Sequence, residues 1–177
     1  MRIGIDARFL GLKVGIARYT ENLIKNLEKF DQKNDYFIFV RKVGFDFYFP
    51  QNSRFHKVLA DYQWYSFKEQ ILFPIKLYKY KLDLVHFPHF NVPIFYFKRF
   101  VITIHDLTQR KILKNASTLP TPIFYFKKLA YFLIILAAMK KSKEIIAISE
   151  FIKREIIKYY KIKSSKISVI YESAEFE

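Results

Sequence analysis

Cysteine is absent from the 177-residue chain, which excludes a disulfide framework and a thiolate metal site. Glycine is scarce, at four residues, and no loop spells the G-x-G-x-x-G of a dinucleotide fingerprint. No Ser-His-Asp ordering or nucleophile elbow occurs, so nucleophilic hydrolysis has no footing. Helix-turn-helix, zinc-finger and RNP-like runs are missing too, which makes nucleic acid the least expected partner. The chain carries no internal repeat, low-complexity tract or linker. Its start enters an apolar β-run directly, without the charged and long apolar regions of a signal peptide, so a cytoplasmic protein is expected. The most apolar stretch, Leu129–Met139, is about half of the ~20 residues a bilayer span needs.

Acidic residues are outnumbered, 16 against 31 Lys and Arg, for a net charge of +15. Such a balance suits an anionic partner: nucleic acid, acidic lipid head groups or phosphorylated substrates. A compositional origin stands beside that reading. Lys, Ile, Phe, Tyr and Asn are abundant together, as an AT-biased genome would make them, and the cations are scattered.

What is present reads as one folded domain over residues 1–177, with 51% hydrophobic residues. Met1–Ile5 is a strand, followed by a loop holding Gly11 and Gly15 and a helix from Ile16. Ile16, Tyr19, Leu23, Leu27 and Phe30 recur at helical spacing and predict its apolar stripe. Further β-favouring runs are Tyr36–Val40, His56–Ala60, Asp83–Phe87, Phe100–Ile104, Ile145–Ile148 and Ile167–Tyr171. Residues 41–54 read as irregular. Ser66 and Glu69 have capping-box spacing and open a helix to about Tyr80, with a kink or an early first half expected at Pro74. Thr121-Pro122 starts a helix through Met139, and Ser149 caps another, to Tyr160, with Glu150 favourable to its dipole. The Leu129–Met139 stretch, bracketed by Lys127-Lys128 and Lys140-Lys141, is either a buried crossover helix or one resting in an anionic membrane interface.

Strand and helix alternating in this way predict an α/β fold: a single Rossmann-like, doubly wound, mostly parallel sheet with helices on both faces. Ligands of such sheets bind beyond the carboxyl ends of the strands. The polar residues fall there: Asp6 and Arg8, His86 and His89, His105 and Asp106, Ser149 and Glu150, and Glu172. They predict one crest. The amides of Gly15, Ile16 and Ala17 open a helix and are candidates to hold a phosphate, although the same loop also reads as a plain flexible connection. His105 could bond a sugar hydroxyl or phosphate oxygen while Asp106 fixes nearby geometry; His86 reads as structural. His86 and His89 lack a third ligand of known position, so no metal site is expected.

Asp6-Ala7-Arg8, Gly15-Ile16-Ala17-Arg18-Tyr19-Thr20, Asp83-x-x-His86-x-Pro88, Thr103-Ile104-His105-Asp106-Leu107 and Ile148-Ser149-Glu150-Phe151 together resemble the amino-terminal domain of family-4, GT-B-fold glycosyltransferases. The resemblance implies one half of a GT-B fold and a retaining transfer, hexosyl- or mannosyltransferase-like, from a nucleotide-sugar co-substrate to a glycan or lipid-linked acceptor. It calls for no cofactor or obligatory metal. It places Gly15, Ile16 and Ala17 at the donor diphosphate and makes His105 and Asp106 the catalytic pair. Arg8, Tyr19, His86 and His89 fall on the acceptor side. Val14 and Ala17 stand where the family commonly has glycine, and a methyl at Ala17 would crowd a close approach to phosphate.

The family's second domain, with its E-x7-E motif, diphosphate-neutralising cations and nucleoside pocket, is not found after Tyr171. Its usual entrance survives only as Tyr171-Glu172-Ser173-Ala174-Glu175. A chain inactive or weak without a carboxy-terminal partner is therefore expected, whether truncated, split or excised. The alternative is a non-catalytic module binding acceptor or membrane, peripheral at the inner face of the plasma membrane.

Overall fold

A computed structural model describes residues 1–108, 118 and 120–172. Of the passage 171–175, Ser173, Ala174 and Glu175 lie outside the described residues. Seven strands form one sheet: β1 Arg2–Asp6, β2 Asp35–Val40, β3 Phe55–Leu59, β4 Leu84–Phe87, β5 Phe100–Ile104, β6 Glu144–Ala147 and β7 Ile167–Val169. Their order is β3-β2-β1-β4-β5-β6-β7, and every neighbouring pair is parallel. The chain winds outward from β1 to β3, returns to β4 beside β1, and winds the other way. The switch between β1 and β4 opens a crevice at their carboxyl ends.

The helices are α1 Gly15–Phe30, α2 Lys42–Phe47, α3 Phe67–Lys79, α4 Thr121–Lys141 and α5 Glu150–Tyr160. They cover both faces. Strand alternation sends Tyr36, Ile38 and Val40 to a core shared with Ile24 of α1, while Phe37 and Phe39 join Phe73 of α3, Met139 of α4 and Ile156 of α5. The predicted caps are in place: Ser66 Oγ accepts from Glu69 N at 3.1 Å and Ser149 Oγ from Ile152 N at 3.3 Å.

Three local expectations change. Residues 42–47 form a helix rather than irregular chain, because Gly44 lets the backbone press on the loop after β1: a Cβ there would stand 2.9 Å from the Leu10 carbonyl oxygen. α3 does not end early at Pro74 but runs through it as one helix, with Pro74 buried. The buried residues of α1 are Ala17, Thr20 and Ile24; of the predicted stripe Leu27 packs against the core, Tyr19 and Leu23 lie on a cleft, and Phe30 is exposed. Buried Thr20 is satisfied by giving its hydroxyl proton to the Ile16 carbonyl at 2.7 Å.

Candidate active site

The sheet's carboxyl rim carries two layers of polar residues. The lower one is sealed. Arg8 is 1% exposed, and its guanidinium holds Asp6 through Nε and Nη2 at 2.8 Å each, Glu69 at 2.7 Å and the Tyr62 carbonyl at 3.3 Å. It lies 4.1 Å over the Phe73 ring. Glu69 also accepts from the Asn91 side chain at 2.8 Å and from Tyr65 N at 2.6 Å. Burial opposes the guanidinium's charge, but the two carboxylates outweigh it and hold Arg8 above its ordinary pKa; burial pushes the Glu69 carboxyl up against the pull of Arg8. The network ties the end of β1 to the start of α3 and the loop after β4. Arg8, expected on the acceptor side, presents no free face to solvent.

His86 belongs to the same layer. Its Nε2 stands 2.8 Å from Thr103 Oγ1, which also meets Tyr19 Oη at 3.1 Å. Burial, with His105 adding to it, pushes the His86 pKa down to about 4. Burial does the same for His89, also to about 4, while its Nδ1 accepts from Asn91 N at 3.3 Å. Both rings are therefore neutral at physiological pH. Burial pushes the Tyr19 hydroxyl up, so it stays a neutral donor.

The upper layer is open. Gly15, Arg18, Tyr19, Asn22, Ile170, Tyr171 and Glu172 line a cleft of about 580 Å³. His105 borders it: its ring meets Tyr19 edge-on at 4.7 Å, and its Nδ1 lies 2.7 Å from Glu172. His105 Nε2 reaches the Pro88 carbonyl at 2.9 Å. Both partners are acceptors, so the ring donates to the one its tautomer serves, and a ligand reaching Nδ1 must displace Glu172. Gly15 also lines the adjoining hollow of about 480 Å³, with Lys13, Ala17, Arg18 and Glu21. A Cβ at Gly15 would meet nothing within 4 Å, so its backbone stands clear for close approach. As the opening residues of α1, Gly15 and Ile16 have amides with no acceptor behind them in the helix. The Ala17 amide turns back to the Val14 carbonyl at 3.0 Å, and Ala17 itself is buried.

The remaining rim residues do other work. Asp106 is exposed and accepts from Thr108 N at 2.8 Å; the carboxylate beside His105 is Glu172 instead. Ser149 and Glu150 begin α5 and line neither hollow. Spacing identified Glu69 only as a cap partner and passed over Asn91 and Trp64. The ring of Trp64 stacks on Phe9 at 4.4 Å, beside His89.

The chain resembles the solved lipopolysaccharide outer core galactosyltransferase WaaB in its apo form at 17% identity and TM-score 0.58, over 100% of this chain and 47% of that one. It also resembles a glycosyltransferase from Rickettsia africae ESF-5 at 20% identity and TM-score 0.53, over 96% of this chain and 42% of that one. These likenesses show the fold, and the chain spans less than half the length of either protein. No curated protein matches the chain. The sequence model of Glycosyltransferase Family 4 matches residues 14–174, from the loop before α1 past the last strand, and the chain belongs to that family.

Proposed function

We infer that this chain is the acceptor-side half of a retaining glycosyltransferase that moves a sugar from a nucleotide-sugar donor to a glycan or lipid-linked acceptor. The observation that carries the reading is the convergence of Gly15, Tyr19, Glu172 and His105 on one cleft. In this reading the donor diphosphate lies against the open amides of Gly15 and Ile16, favoured by the helix dipole. His105 meets the transferred sugar after exchanging Glu172 for a sugar hydroxyl. Tyr19 donates to the acceptor side, and the stacked Phe9 and Trp64, with His89 tilted against Phe9, offer rings against which a sugar face can rest.

Departure of a nucleoside diphosphate requires cations at the developing charge. The two hollows offer Lys13 and Arg18 against Glu21 and Glu172, which leaves no net positive charge there. Efficient transfer therefore needs cations from a second domain facing the rim, and this half alone is inactive or weak. The test is radiolabelled sugar transfer by the chain alone and with a co-expressed carboxy-terminal GT-B half. Transfer is expected only from the pair. Equal transfer by the chain alone would refute the two-half requirement, and none from an assembled pair would refute the transferase reading.

A further inference from the structure

The +15 charge is not spent at the cleft, and its location is informative. α3 buries Phe73 and Leu77 yet turns Phe67 (89% exposed), Ile71 and Ile75 outward, one turn apart. A helix covering a sheet in water normally puts charge there instead. α4 repeats the anomaly with Phe126 (73% exposed), Leu129 and Leu133. The loop after β4 bridges the two helices. Ile94 N donates to Gln70 of α3 at 2.8 Å and Phe97 N to Tyr78 Oη at 2.8 Å, while Lys141 of α4 reaches the Ile94 carbonyl at 3.4 Å. That loop exposes Phe95 and Phe97 as well. One face of the sheet thus carries exposed apolar side chains on two helices and on the loop that is hydrogen-bonded to both.

Cations frame the band and anions avoid it. Lys68, Lys76 and Lys79 lie on α3, Lys98 and Arg99 on the loop, and Lys127, Lys128, Lys140 and Lys141 on α4. The single carboxylate in α3, α4 and residues 88–99 is Glu69, which is buried. By length and composition α4 could cross a bilayer, with 21 residues and a mean hydropathy of 1.6 over its most apolar window, but Ile135, Ala138 and Met139 fix it to the core. It can lie on a membrane without leaving the sheet. Twofold pairing of this face with a second copy would set cations against cations.

We propose that α3, the loop carrying Phe95 and Phe97, and α4 form a docking surface for an anionic lipid bilayer, with the aromatic side chains below the head groups and the lysines on their phosphates. This goes beyond the transferase reading and stands without it. The test is flotation of the full chain with phosphatidylglycerol-containing vesicles and with pure phosphatidylcholine vesicles. The chain is expected to float with the anionic vesicles only, less so as salt rises. Lys68→Gln/Lys79→Gln/Lys127→Gln should weaken binding about a hundredfold, from roughly fivefold for each cation near the surface. Phe67→Ser/Phe97→Ser/Phe126→Ser should abolish flotation without lowering the thermal midpoint. Phe30→Ser, exposed at the end of α1 over the opposite face, should change nothing. No flotation, equal flotation with both vesicles, or full binding by either triple variant would overturn the proposal. So would a stable dimer that the phenylalanine variant dissociates while vesicles capture nothing. Sugar transfer is not read in this assay, so either reading can fail alone.

Discussion

Replacing Arg8 by methionine separates a structural role from a substrate-binding one. The side chain is similar in length and stays apolar over Phe73, but the cation joining Asp6 and Glu69 is lost. Two buried carboxylates then face each other's neighbourhood without compensation. Removing one member of a buried ionic set costs about 3–5 kcal/mol. With a urea slope of about 2 kcal/mol/M, the unfolding midpoint falls by about 1.5–2.5 M. Trp64 is the only tryptophan and stacks on Phe9 one residue beyond Arg8, so its fluorescence reports the transition at the network itself. The pH dependence carries a second signature. Without Arg8 nothing offsets the burial that already pushes the Glu69 carboxyl up. Its penalty is present at neutral pH and eases as acid protonates it, so the gap to the native chain narrows toward acid pH. A midpoint within about 0.3 M of the native chain's would refute the assignment of Arg8 to the fold.

Other expected outcomes follow from the same geometry. The folded pKa of His86, about 4, lies below its unfolded value of about 6.5. Its stabilisation is complete above pH 6.5 and is lost as pH falls toward 4, by about 3 kcal/mol in total. Urea unfolding from pH 7.5 to 4.5 should show this slope together with a similar one from His89, and His86→Gln should remove about half of it; an unchanged slope in the variant would contradict the assignment. Gly44→Ala places a methyl 2.9 Å from the Leu10 carbonyl oxygen and should cost about 1–3 kcal/mol, read as a lower thermal midpoint. Gly15→Ala should leave that midpoint unchanged, since its Cβ meets nothing, while weakening transfer by the assembled pair.

The order of strands and helices was legible because each core strand is an unbroken β-favouring run, and α3 and α5 announce themselves with serine caps. Legibility ended where a side chain's partner lies far along the chain. Glu69 has the spacing of a cap residue, and nothing local says that Arg8, 61 residues earlier, reaches it. Asp106 stands next to His105 in sequence, yet the carboxylate bonded to that ring comes from Glu172, 67 residues later. Periodicity placed an apolar stripe on α1 but could not say that Tyr19 and Leu23 face a cleft while Ala17, Thr20 and Ile24 take the core. For α4, apolar composition left two readings open, a buried crossover helix and one resting in a membrane interface. It crosses between β5 and β6, but only 22% of its most apolar window is buried. α2 was read as irregular chain, and the role of Gly44 in it depends on the approach of the Leu10 backbone.

The role of His105 in sugar transfer is tested most directly by His105→Ala in the chain assembled with a carboxy-terminal half. The prediction is a loss of about 10²–10³ in kcat with assembly and thermal midpoint unchanged, as expected for removing a group that meets the reacting sugar. Full transfer by that variant would contradict the account.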